Sequence, residues 1–155
     1  MSNEASDRLK QNAEKIMRMW EKRARDEVGA STPQNSLVLQ GSLPLYLNQL
    51  VNQLSNRIAR TSARITADEI ESTRICKLHG QERAGYADYS ISQLILEYHP
   101  LRQVIFQVLA EEAPLEVRGD IIIASIEQGV NEAATQFSET LRDIRPLAKV
   151  VAGVI

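Results

Sequence analysis

YSISQLILEYHPLRQVIFQVL, residues 89–109, decides the fold class. Ile91, Leu94, Ile95, Tyr98, Leu101, Ile105, Val108 and Leu109 recur at helical spacing and form one broad apolar stripe. Ser90 and Gln93 make a capping box, and Tyr89 and Leu94 stand at the staple positions around it. The helix is expected to end near Glu112, with Pro114 beyond. Two residues do not suit a plain core helix. Arg102 follows Ile91 by eleven positions, close to three full turns, and so falls inside the stripe. A guanidinium there must be paired, because an uncompensated buried charge is strongly destabilising. Glu69, Glu71, Glu127 and Glu132 are the candidate partners, and Tyr98, one turn earlier, offers a ring face. The alternative is that Arg102 reaches the rim by its long stem. Pro100, on the opposite face, removes a donor and frees the carbonyl of Leu96.

On the C-terminal side a long helix is expected over residues 115–144. Ile122, Ile126, Val130, Ala133, Phe137, Leu141 and Ile144 are spaced 4-4-3-4-4-3, an eleven-residue repeat that suits a nearly straight helix. Gly129 borders this face and invites a close helix crossing. Pro146 is expected to break the pattern. On the N-terminal side Leu9, Ala13, Ile16, Met17, Trp20 and Ala24 predict an amphipathic helix over residues 6–28. Residues 29–41, GASTPQNSLVLQG, read as a long loop in which Val38 and Leu39 tuck against the core. A helix opens at Ser42 with Pro44 in its first turn. Its face is Leu43, Leu47, Leu50, Val51, Leu54 and Ile58, and its end is expected near Arg64. Thr66 and Glu69 form a further capping-box pattern opening a helix to His79, whose thin apolar face is Ile70, Leu78 and Cys76. Gly80 supplies the stop. The expectation is all-α: a bundle of four to five helices, with a globin-like arrangement as the alternative. Residues 1–145 are read as one helical domain and residues 146–155 as the start of a linker.

The totals set limits on function. The 155 residues suffice for one well-filled core. A net charge of −2 with both signs interspersed gives no electrostatic case for nucleic acid. The one cysteine excludes an internal disulfide and a thiolate metal cluster, which suits a reducing cytoplasm. No apolar run approaches the roughly 20 residues a membrane span needs, and the polar N-terminus has no signal-peptide pattern. A cytoplasmic chain without membrane contact is expected.

Catalytic patterns are missing too. There is no Gly-rich phosphate loop, no HExxH and no G-x-S-x-G elbow. The two histidines, His79 and His99, stand twenty residues apart without a metal-ligand motif. Haem needs only one axial histidine, so a haem on His99 remains an alternative to the expectation of no cofactor and no metal. His79 precedes Gly80 at an expected helix end, where imidazolium meets the negative end of the helix dipole. Cys76 has no base nearby and reads as a small packing residue. His99-Pro100-Leu101-Arg102 loosely matches the H-x-L-K core of histidine phosphotransfer domains, but the glycine that usually follows is absent.

HGQERAGYADYSISQLILEYHPLRQVIFQVL, followed by IIIASIEQGVNEAATQFSETL, resembles the RsbRD-type N-terminal domain, found ahead of sensor histidine kinases and in stressosome co-antagonist proteins. The matching features are His79 with Arg83, the Y-S-I-x-x-L opening at residues 89–94, the E-Y-x-x-L-R core at residues 97–102, and I-x-x-x-x-x-E-A-x-x-x-F at residues 126–137. The similarity spans residues 42–141; Pro100 departs from it, standing where the family has a helix former. The resemblance implies a cytoplasmic, non-catalytic, all-helical input module. It would pass a signal to a downstream kinase or other output domain. The regular stripe from Ile122 to Ile144 makes the last helix the expected output lever, and the apolar tail after Pro146 points to a self-contact in a homodimer or to a connection into the next domain. His79, Arg83, Tyr98, His99 and Arg102 are the candidate sensing or ligand residues.

Overall fold

The computed structural model describes residues 5–55, 61–86, 88–111 and 119–154, with side chains described to residue 144 in the last of these. The chain is all-α. The helices are α1 (Ala5–Gln11), α2 (Ala13–Glu27), α3 (Ser36–Gln40), α4 (Leu43–Leu54), α5 (Ser62–Ala84), α6 (Ile91–Ala110) and α7 (Gly119–Val154), with a 3-10 turn at Gly29–Ser31. α5 and α7 form the most extensive helix pair, while α6 packs against α1, α2 and α7.

α6 is the axis of the core. Ser90 caps it as expected, its hydroxyl accepting from the Gln93 N–H at 3.2 Å. The reciprocal half of the capping box is replaced by a long-range contact, with Gln93 Oε1 accepting from the Ala30 N–H at 3.0 Å. The buried arc covers Leu94, Glu97, Tyr98, Pro100, Leu101, Val104, Ile105, Val108 and Leu109. It is therefore rotated from the expected stripe, toward Glu97 and Val104. Pro100 is buried, not on an outer face. Ile91 is 39% exposed, and Arg102, which does lie beneath it, is exposed as well. Trp20 from α2 donates its indole N–H to the Glu97 carbonyl at 3.0 Å, one residue beyond the carbonyl that Pro100 leaves without a helical donor.

Other boundaries differ for local reasons. The N-terminal helix is broken at Asn12, whose amide turns back to the Arg8 carbonyl at 2.7 Å. Residues 29–41 contain the short α3, capped by the Asn35 side chain, and Leu39 is fully buried as expected. α4 ends at Leu54, so Arg64 belongs to α5; Ile58 lies outside the described residues. The cap of α5 is Thr61, which accepts from Arg64 N–H, not Thr66. α5 runs through Gly80 to Ala84 because Gly80 serves as a contact point: a Cβ there would stand 2.3 Å from the Ala133 carbonyl of α7. Gly129 likewise admits the Tyr98 ring, which a Cβ would meet at 3.0 Å. α7 continues through Pro146 to Val154, where a break was expected. Its expected start at residue 115 lies outside the described residues. Among the described residues no helix is long and apolar enough to cross a membrane.

Candidate functional site: a buried ion cluster and an adjoining groove

α5 buries an unusual face. Ile70, expected inside, is 65% exposed, while Asp68, Ser72, His79 and Arg83 are buried together with Ile75 and Cys76. His79 and Arg83 are one turn apart on this face and both reach Glu97 of α6. Arg83 Nε donates to Glu97 Oε1 at 2.8 Å and to Oε2 at 3.2 Å, and His79 Nε2 lies 2.9 Å from Oε2. Arg83, Glu97 and His79 are 0%, 1% and 2% exposed, so the cluster is cut off from water.

The guanidinium has further partners. Its terminal nitrogens donate to the carbonyls of Leu39 and, at 3.3 Å, Val38. Those carbonyls close the last turn of α3, where a helix leaves acceptors unpaired and presents the negative end of its dipole. The rings of Tyr86 and Tyr89 lie 5.7 and 5.2 Å from the guanidinium carbon, within cation–π range. One arginine thus ties α5, α6 and α3 together. Burial alone would push the Glu97 carboxyl up, but the hydrogen bond and charge of His79 and the charge of Arg83 outweigh it and hold the carboxyl below its ordinary range.

An ionised Glu97 is acceptor-only, so His79 Nε2 must carry the proton it donates. Nδ1 of His79 then has no partner among the described residues, and neither does the Tyr89 hydroxyl, which faces the same carboxylate without standard hydrogen-bond geometry. The His79 ring also meets Tyr98 edge-on, with centroids 5.7 Å apart. Tyr98 leads out to a groove between α6 and α7 lined by Ile95, Tyr98, His99, Arg102, Ile126, Glu127, Val130 and Asn131.

The five sequence candidates therefore divide in two. His79 and Arg83 lie in the buried cluster, His99 and Arg102 stand on the exposed wall of the groove, and Tyr98 separates the pairs. The expected buried ion pair of Arg102 is corrected: the residue is exposed, and none of the described carboxylates lies within ion-pair distance of it. His79 is not at a helix end either, since α5 continues past it, and its partner is a carboxylate in place of a helix dipole. Glu97 was missed as a site residue. Its signal was its spacing, three after Leu94 and four before Leu101, which places an acid within the apolar face.

Among the described residues, the side chains that make up the cluster include no thiol, amine or aliphatic hydroxyl. Cys76 is buried, and burial followed by the Glu132 charge pushes its thiol up to about 12, so it stays protonated and inert. Among the described residues, no three His, Cys, Asp or Glu side chains converge as a metal site. Compared with family models, curated proteins and solved structures, the chain matches none.

Proposed function

We propose that this chain is a non-catalytic, cytoplasmic input domain of a bacterial signalling protein, with a sensor histidine kinase as the parent it fits best, and that α7 is its output lever. The observation that carries the reading is the meeting, at Glu97, of two of the motifs that make the RsbRD-type resemblance. His79 and Arg83 come from one, Glu97 and Tyr98 from the other. The cluster they form sits beside the α5–α7 crossing, where Gly80 brings two backbones into contact. A charged cluster has few acceptable arrangements once buried, so it favours discrete states over continuous deformation.

α7 supports the lever. It has 36 residues against 23 in α5, the next longest, and its sequence stripe is regular. A helix of that length spans about 54 Å, enough to carry motion beyond its packing partners. Homodimerisation would pair the lever with a second copy, and the apolar sequence of residues 147–155 suits such a contact.

The test is a fusion of the full chain to a histidine-kinase core, with one to four residues inserted after Leu147. Each insertion rotates the following helix face by about 100°. Kinase output is expected to vary with rotation and to recover near a whole turn; output indifferent to the insertions removes the lever. Sedimentation of a strict monomer at high concentration removes the dimer.

A further inference from the structure

The groove between α6 and α7 holds polar groups that the fold leaves unused. Its floor is Ile95, Ile126 and Val130, Tyr98 closes its inner side, and its volume of about 310 Å³ is at the scale of a small organic ligand. Arg102 from α6 and Glu127 from α7 line it. They are beyond ion-pair distance of each other and of every other described charged group. The Tyr98 hydroxyl makes no hydrogen bond to a described residue, although the side chain is only 3% exposed.

Two opposite charges that bypass one another across an apolar floor suit a ligand carrying the complementary pair. A carboxylate would accept from the Arg102 guanidinium, and an ammonium would donate to Glu127. An apolar body would cover Ile95, Ile126 and Val130. A simple apolar acid would face Glu127 with like charge, and a simple amine would face Arg102; a zwitterion satisfies both. We propose that this groove binds an apolar α-amino acid of leucine or phenylalanine size, and that its occupancy is the input signal. The second half rests on the input-domain reading above.

The route inward is short. The Tyr98 ring forms the groove's inner wall, touches the α7 backbone at Gly129 and meets His79 edge-on. A ligand pressing on that ring acts on the helix crossing and on the ion cluster together. It shifts an equilibrium only by binding the two arrangements unequally.

The experiment is thermal unfolding of the full chain with roughly 10 mM L-leucine or L-phenylalanine. The comparison probes are 4-methyl-2-oxopentanoate, which lacks the ammonium, and 3-methylbutylamine, which lacks the carboxylate. At ten times the dissociation constant an amino acid is expected to raise Tm by about 3 °C or more, with each comparison probe well below that. Arg102→Gln and Glu127→Gln are expected to keep the ligand-free Tm and lose the rise, as is Asn131→Trp, which blocks the rim. No rise with either amino acid, an equal rise with the probes, or a rise that survives both charge substitutions overturns the site. Binding that leaves the kinase fusion's output unchanged supports the site and removes its role as input. A rotation-sensitive fusion whose chain binds neither amino acid removes the site and leaves the lever standing.

Discussion

Arg83 and Arg102 carry the same guanidinium and serve α6 in opposite ways. Arg83 meets Glu97, and five residues on, about 140° around the helix, Arg102 stands over an open groove. The first arginine is fully desolvated and every direction around it is filled: a carboxylate, two carbonyls and two tyrosine rings. The second keeps its hydration and has no described partner. Burial without partners would be prohibitive for either, so the partner set, not the residue type, decides which one the core can take. The core therefore depends on the Arg83 cluster, while the groove at Arg102 is free to serve a ligand.

The largest expected effect comes from breaking the buried side of this contrast. Glu97→Ala strands the Arg83 cation without its counter-charge and should cost about 3–5 kcal/mol. In a chain of this length that is a fall in Tm of roughly 10 °C. Replacing both partners, Arg83→Met with Glu97→Leu, should cost less than the sum of the single losses, because neither charge is then left alone. Urea denaturation of the singles and the double measures the coupling. Additive losses would mean that the two charges act independently and that the cluster is not a unit.

A smaller effect follows from protonating Glu97 instead of deleting it. Its folded-state carboxyl titrates below the ordinary range, so as pH falls the unfolded chain takes up the proton first. The stability contributed by this group is complete above the ordinary carboxylate range and is lost as pH drops through it toward the lower folded value. A protonated carboxyl still hydrogen-bonds, which is why the loss stays below that of Glu97→Ala. Urea midpoints measured between about pH 6 and pH 3 should fall more steeply for the natural chain than for Glu97→Gln. Equal slopes would assign the acid sensitivity to other carboxylates.

How much of this was legible in the sequence varies with the signal each element carries. Apolar periodicity located α2, α4, α6 and α7, and Leu94, Tyr98, Ile105, Ile126 and Phe137 are buried as the spacing requires. Side-chain caps are legible where the capping-box pattern marks them, as at Ser90, and hidden where it does not: Thr61 has Arg64 three residues on, whereas Thr66 and Glu69 carry the pattern without being the cap. The helix stop expected at Gly80 fails because a close backbone approach to Ala133 has no local sequence signature. On α5 the expected face holds at Cys76 and fails at Ile70, because the rest of the buried side is polar and hydropathy points at Ile70. The ion cluster depends on residues 14 to 45 positions apart, Glu97 and Val38 relative to Arg83, and no periodicity encodes such a meeting. The rotation of α6 toward Glu97 follows from that meeting, and with it the exposure of Arg102.

The smallest expected effect is on the open side. Arg102→Leu removes a cation that is exposed and unpaired among the described residues, so no counter-charge is stranded and no hydrogen bond is lost. A leucine there keeps an apolar side chain beside Ile95 and Val130 in the groove lining. Such surface changes fall within about 0.5 kcal/mol, a shift of roughly 2 °C or less in Tm. The natural chain, Arg102→Leu and Arg83→Leu are to be compared in one thermal-unfolding series, because the contrast between the two arginines is the quantity of interest. Arg83→Leu should lose several-fold more, since it leaves Glu97 buried and the α3 carbonyls without their donor. A loss at Arg102 as large as that at Arg83 would show the outer arginine bracing α6 against α7, through Glu127 across the groove. The groove would then be a structural seam and could not be a vacant site.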